Sequence, residues 1–147
     1  MKKLSISLLV LLFFSTASLF AHDKKILIIN SYHKGFQWSD DVLSGMEAVF
    51  YNHPEITTNI LYMDSKRINS EEYYAKLREL YKLQLKNHQY DLIVAVDKFA
   101  YDFLIKYYHE LFIDEPILFT GLEQFSVEEI RKKGLEDSKK FFEKSIE

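Results

Sequence analysis

The side chains best able to hold or transform a small molecule fall in four short polar segments. The first, Ser31-Tyr32-His33-Lys34-Gly35-Phe36-Gln37-Trp38, mixes aromatic rings with an imidazole, an ammonium, a hydroxyl and an amide, a combination suited to stacking and hydrogen bonding. Within it His33 is the candidate titratable contact, and Trp38 suits either a stacking wall or a lid over the core. Ser31 and the preceding Asn30 could instead satisfy backbone groups at a turn. The second segment, Asp64-Ser65-Lys66-Arg67, sets a carboxylate near a guanidinium able to grip a ligand carboxylate with two parallel bonds. A surface pair between Arg67 and Glu71, four residues on, competes with that role, and Asp64 could serve only to orient Arg67. Asp97-Lys98-Phe99 and Thr120-Gly121-Leu122-Glu123 complete the set. Asp97 fits a helix cap better than a ligand contact.

Reaction chemistry finds little support in the same residues. The histidines, at positions 22, 33, 53, 88 and 109, show no metal-ligand spacing, and there is no cysteine to supply a thiolate. No G-x-S-x-G nucleophile elbow and no glycine-rich phosphate loop occur. A phosphoacceptor receiver domain would place an acidic pair where Asn30 and Ser31 stand. No catalytic residue, metal ligand or cofactor is therefore assigned, and the segments read as a binding surface rather than an active site.

These segments need elements that bring them to one place, and the apolar pattern supplies them. Ile26-Leu27-Ile28-Ile29 and Leu92-Ile93-Val94-Ala95-Val96 are continuous apolar runs, the signature of strands buried on both faces. Thr57 to Met63 and Pro116 to Phe119 read as two further strands. Between them lie three helical stripes. Val42, Met46, Val49 and Phe50 follow a cap at Ser39; Tyr73, Leu77, Leu80, Tyr81 and Gln84 follow a cap at Asn69 or Ser70; Ala100, Phe103, Leu104, Tyr107 and Leu111 follow Asp97. Strand and helix alternate, which predicts an α/β fold: three layers, a mostly parallel sheet with helices on both faces. In such a sheet ligands bind beyond the carboxyl ends of the strands, and all four polar segments fall there.

Composition agrees with a packed domain. The 147 residues are 48% hydrophobic and 28% charged with only 4 Gly and 2 Pro, which excludes collagen-like and disordered classes. The start of the chain has a different character. Lys2 and Lys3 precede the apolar run Leu8 to Phe14, and small residues follow up to Ala21. That order predicts an export signal at residues 1–21, cleaved after Ala21, with an uncleaved membrane anchor as the alternative. The formal charge is −3, and losing the two lysines makes the remainder more acidic still. A mildly acidic chain with dispersed basic residues has no electrostatic footprint for nucleic acid. The expected organisation is thus signal 1–21, an α/β lobe 22–126, and a charged helical tail, or the truncated start of a second lobe, at 127–147.

Four stretches carry a resemblance to a known family: I-L-I-I-N-S-Y-H-K-G-F-Q-W-S-D-D (Ile26 to Asp41), Y-M-D-S-K-R (Tyr62 to Arg67), Y-D-L-I-V-A-V-D (Tyr90 to Asp97) and P-I-L-F-T-G (Pro116 to Gly121). In this order they resemble the periplasmic substrate-binding proteins of the ABC-transporter type, and the related extracellular sensor domains of bacterial histidine kinases and diguanylate cyclases. The resemblance implies one lobe of a type 1 periplasmic binding protein, Rossmann-like in topology, in a family whose two lobes close over a small organic solute. It implies ligand-binding roles for Ser31, Tyr32, His33, Trp38, Asp64, Arg67, Asp97 and Gly121, a periplasmic location, and an ABC permease or sensor kinase as partner. Lys98 stands where such relatives commonly carry a small polar residue, and Leu122-Glu123-Gln124 replaces an amide-rich stretch. Relatives are about twice as long, so the expectation is a first lobe only. Two other readings stand beside solute binding: a lobe that pairs with an envelope receptor or transporter subunit, and a truncated remnant without ligand.

Overall fold

The computed structural model describes residues 23–122; the expected signal (1–21) and the tail (127–147) lie outside the described residues. The elements are β1 (Lys24–Asn30), α1 (Gln37–Phe50), β2 (Ile56–Tyr62), α2 (Glu71–Leu85), β3 (Leu92–Val96), α3 (Asp97–Leu111) and β4 (Ile117–Thr120). All strand pairs are parallel and the order across the sheet is β2-β1-β3-β4. This is the α/β architecture that the alternating pattern predicts.

Strand alternation divides the apolar residues between two layers. Leu27, Ile29, Ile93, Ala95 and Ile117 meet Leu77, Tyr81 and Leu85 of α2 and Ala100, Phe103, Leu104 and Tyr107 of α3. On the opposite face Ile26, Ile28, Val94 and Val96 pack against Leu43 of α1, with Val42, Met46 and Phe50 beside it. Each such aliphatic side chain contributes about 1.5–3 kcal/mol when fully removed from water. Among the described residues no helix is long and apolar enough to cross a membrane.

The helices depart from the expected stripes in instructive ways. α1 begins two residues before Ser39, with Phe36 in the cap position and no side-chain cap. Ser39 instead lies inside the first turn, buried, and its Oγ donates to the Phe36 carbonyl at 3.1 Å. The inward series is Ser39, Leu43, Met46 and Phe50, so Val49 turns outward and is 62% exposed. In α2 the cap is Ser70, whose side chain accepts from the Tyr73 amide at 3.2 Å. Its inward residues are Leu77, Tyr81 and Leu85, while Leu80 and Gln84 face outward. Both shifts are of one position, about 100° around a helix.

An ionic clamp joins α2 to α3. Glu110 accepts from Arg78 at 3.1 Å and from Lys82 at 2.8 Å, Arg78 lies 5.4 Å over the Tyr107 ring, and Lys106 pairs with Glu71. The hydrogen bond from Lys82, with the charges of Arg78 and Lys82, holds the Glu110 carboxyl below its usual value. A depressed carboxylate contributes stability above its unfolded pKa and loses it as pH falls through the folded one. Glu110→Gln is therefore expected to lower Tm at neutral pH, with the gap from the wild type closing below about pH 4.3. Paired thermal scans across that range check this; a gap that persists in acid would assign the loss to packing rather than charge.

Candidate functional site

β1 lies between β2 and β3, and α1 occupies one face of the sheet while α2 and α3 occupy the other. The chain thus leaves the ends of β1 and β3 toward opposite faces. In open parallel sheets it is between loops that diverge in this way that ligands are taken up.

The base of this loop cluster is built by residues far apart in sequence. Ser31 is fully buried; its Oγ donates to the Val96 carbonyl at 2.7 Å and accepts from the Ala100 amide at 2.8 Å. The hydroxyl of the β1 loop therefore caps α3, the task the sequence suggested for Asp97. Asp97 is the first residue of α3, with a left-handed backbone (φ 71°) and no conventional side-chain cap at the position before it. Its Oδ2 accepts from the Tyr32 hydroxyl at 2.6 Å, while Oδ1 turns to the amide of Lys98. Asn30 Oδ1 accepts from the Tyr32 amide at 2.9 Å and fixes the turn out of β1.

Aromatic rings form the wall. Tyr32 stacks on Phe36 with centroids 4.2 Å apart and meets Trp38 edge-on at 6.1 Å. Trp38 is 42% exposed and lies over Gly121 at the end of β4, where an added Cβ would come within 2.5 Å of its Cη2. Gly121 itself adopts φ 76°, a conformation glycine accepts freely.

The β2 loop contributes the charges. Asp64 also has a left-handed backbone, φ 53°. Its Oδ1 lies 3.2 Å from His33 Nδ1, and its Oδ2 lies 3.5 Å from Arg67 Nη1. Arg67 thus turns back to Asp64, and Glu71, its expected partner, pairs with Lys106 of α3. Lys66 sets its ammonium 5.9 Å from the Tyr32 centroid and 5.7 Å from that of Phe36. The loop is pinned by the Ser65 amide donating to the Ser31 carbonyl at 2.8 Å and by the Met63 amide donating to that of Asn30 at 2.8 Å.

Tyr32, His33, Trp38, Asp64, Arg67, Asp97 and Gly121 all gather at this end of the sheet, linked by the contacts just described. Ser31 sits beneath them with both hydroxyl functions engaged by the fold, which makes it a positioning residue. Sequence reasoning passed over Phe36 and Lys66 as site members, while Asn30 satisfies a backbone amide at the turn out of β1, the role its position offered. Phe36 and Lys66 stand inside segments already marked as polar loops, so location was the available signal; the ring stacking that recruits them is tertiary. Among the described residues no three His, Asp or Glu side chains converge as a metal site. A separate open groove of about 1240 Å³ lies at the opposite end of the sheet, where Lys82, His88, Tyr90, Asp91 and Glu110 contribute to its lining. Asp91 there is held by Lys24, and Glu110 by Lys82 and Arg78.

Comparison with protein-family models, with curated proteins and with solved structures finds no match to this chain.

Proposed function

We propose that the chain is an exported, periplasmic solute-recognition lobe that holds a small organic molecule against the loops after β1, β2, β3 and β4, without catalysing a reaction. The observation that carries the reading is the pair of left-handed aspartates, Asp64 and Asp97, placed after β2 and β3 and contacting the β1 loop through His33 and Tyr32. Left-handed backbone at a non-glycine residue costs about 1–3 kcal/mol and is retained where the surroundings over-determine it, characteristically at ligand clamps. The exposed edge of Trp38 and the stacked Tyr32 and Phe36 supply apolar contact beside those carboxylates. The resemblance of the four loop segments to periplasmic binding and sensor lobes supports the same reading. On it, an ABC permease or a sensor kinase is the downstream partner.

Trp38 is the single tryptophan of the chain, so its emission reports this face directly. Titration with amino-acid, carboxylate and nucleoside libraries is expected to yield one class that shifts Trp38 emission and raises Tm. A ligand selective for the folded state at 100 times its Kd adds about 2.7 kcal/mol of stability. A folded chain that ignores every class would overturn solute binding and turn the same face over to a protein partner.

A further inference from the structure

We infer that the solute taken at this face is an organic anion with a flat apolar part, its charged group met by Lys66 and Arg67 and its ring by Trp38. This rests on the solute-binding reading above and adds the sign of the ligand's charge.

The argument is one of unmatched charge. Asp97 is already supplied with donors, by the Tyr32 hydroxyl and the Lys98 amide, whereas Asp64 has His33 and Arg67 beside it at ion-pair distance and its inward Oδ1 is buried without a hydrogen bond, out of reach of a ligand. The Lys98 ammonium is engaged in turn by Asp102, at 2.9 Å. Lys66 differs from these. Its ammonium has no carboxylate partner among the described residues and rests over the faces of Tyr32 and Phe36. Arg67, with a side chain 61% exposed, approaches Asp64 through a single nitrogen at 3.5 Å, beyond a good hydrogen bond. Its planar fork can therefore turn to a second carboxylate.

An incoming cation would find the aromatic faces taken by Lys66 and would be repelled by Arg67. An incoming carboxylate, sulfonate or phosphate would meet an ammonium without a carboxylate partner among the described residues and a guanidinium shaped for two-point contact. Trp38, edge-on to Tyr32 and partly open to solvent, offers a surface for the apolar remainder of the ligand. Lys34, exposed in the β1 loop, adds a further cation to the same loop.

Benzoate, benzamide and benzylamine share one ring and differ in charge, which makes them suitable probes for the full chain. Binding is followed by Trp38 emission and by ligand-observed saturation-transfer NMR. Benzoate is expected to bind, with benzamide and benzylamine at least about tenfold weaker, the usual weight of one charged hydrogen bond. Lys66→Met, at an exposed position, is expected to weaken benzoate about tenfold with Tm unchanged, and Asp64→Asn to tighten it severalfold. Preference for benzylamine, equal binding of benzamide and benzoate, or a Lys66→Met variant of unchanged affinity would overturn the inference while leaving solute binding in place. Silence from all three probes up to about 20 mM would overturn it too; only silence across the wider library as well would remove the solute-binding reading.

Discussion

Gly121→Val is expected to unseat Trp38 and to destabilise the chain by about 3 kcal/mol. Two effects add at this position. The backbone at φ 76° is strained for any residue with a Cβ, and most for a β-branched one. The Cβ itself would meet Trp38 Cη2 at 2.5 Å and Cζ2 at 3.1 Å, with the Asp97 amide 3.6 Å away. The indole is the softer neighbour, being 42% exposed, so it is the group that moves. Its emission should shift to the red as the ring leaves Gly121 for water. Gly121→Ala carries the same Cβ with less bulk and should show the same red shift with a loss nearer 1–2 kcal/mol, about 4–8 °C in Tm per kcal/mol at this size. On the solute-binding reading the response to ligand should fall in both variants, because the aromatic wall beside Gly121 has moved. Unchanged emission in Gly121→Val would mean that Trp38 does not rest on Gly121 in solution.

Ser31→Ala is expected to cost about 2 kcal/mol while leaving the site's charged and aromatic groups intact. The substitution removes the hydrogen bond to the Val96 carbonyl, which keeps a second donor in the Ser31 amide at 3.2 Å. The Ala100 amide has no such reserve. It becomes an unsatisfied buried donor in the first turn of α3, because Ala100 is fully buried and Ser31 Oγ is its partner. Amide exchange distinguishes this account from simple loss of packing: the Ala100 amide should lose protection in Ser31→Ala and keep it in Asp97→Asn. The reverse result would restore Asp97 as the cap.

The contrast between Ser31 and Asp97 shows where local reasoning reaches its limit. The apolar runs at 26–29 and 92–96 required strands buried on both faces, and their alternation with helical stripes required a parallel sheet with its polar loops at one end. Those inferences rest on hydrophobic period and on the short reach of connections, both properties of adjacent residues. The gathering of the four polar segments followed from the same logic, because parallel strands carry all their carboxyl ends to one edge. Helix faces were legible to within one position. Val49 and Leu80 are apolar and nearly in phase, and only the packing of Leu43 against Ile26 and Ile28, and of Leu77 and Tyr81 beneath α3, decides which neighbour turns inward.

The partners within the site were not legible, for a different reason. Ser31 meets Ala100 across 69 positions and Tyr32 meets Asp97 across 65. His33 reaches Asp64, Lys66 reaches the rings of Tyr32 and Phe36, and Glu71 is claimed by Lys106 before Arg67 can reach it. A capping rule or an i, i+4 rule ranks candidates along one element and is blind to a better partner arriving from another. The sequence by itself determined the layers, the sheet and the end at which the four polar segments gather, since hydrophobic burial depends on local pattern. The tertiary structure alone decided which donor meets which acceptor, because hydrogen bonds and ion pairs depend on approach to within about 3 Å, a distance that only the assembled sheet sets.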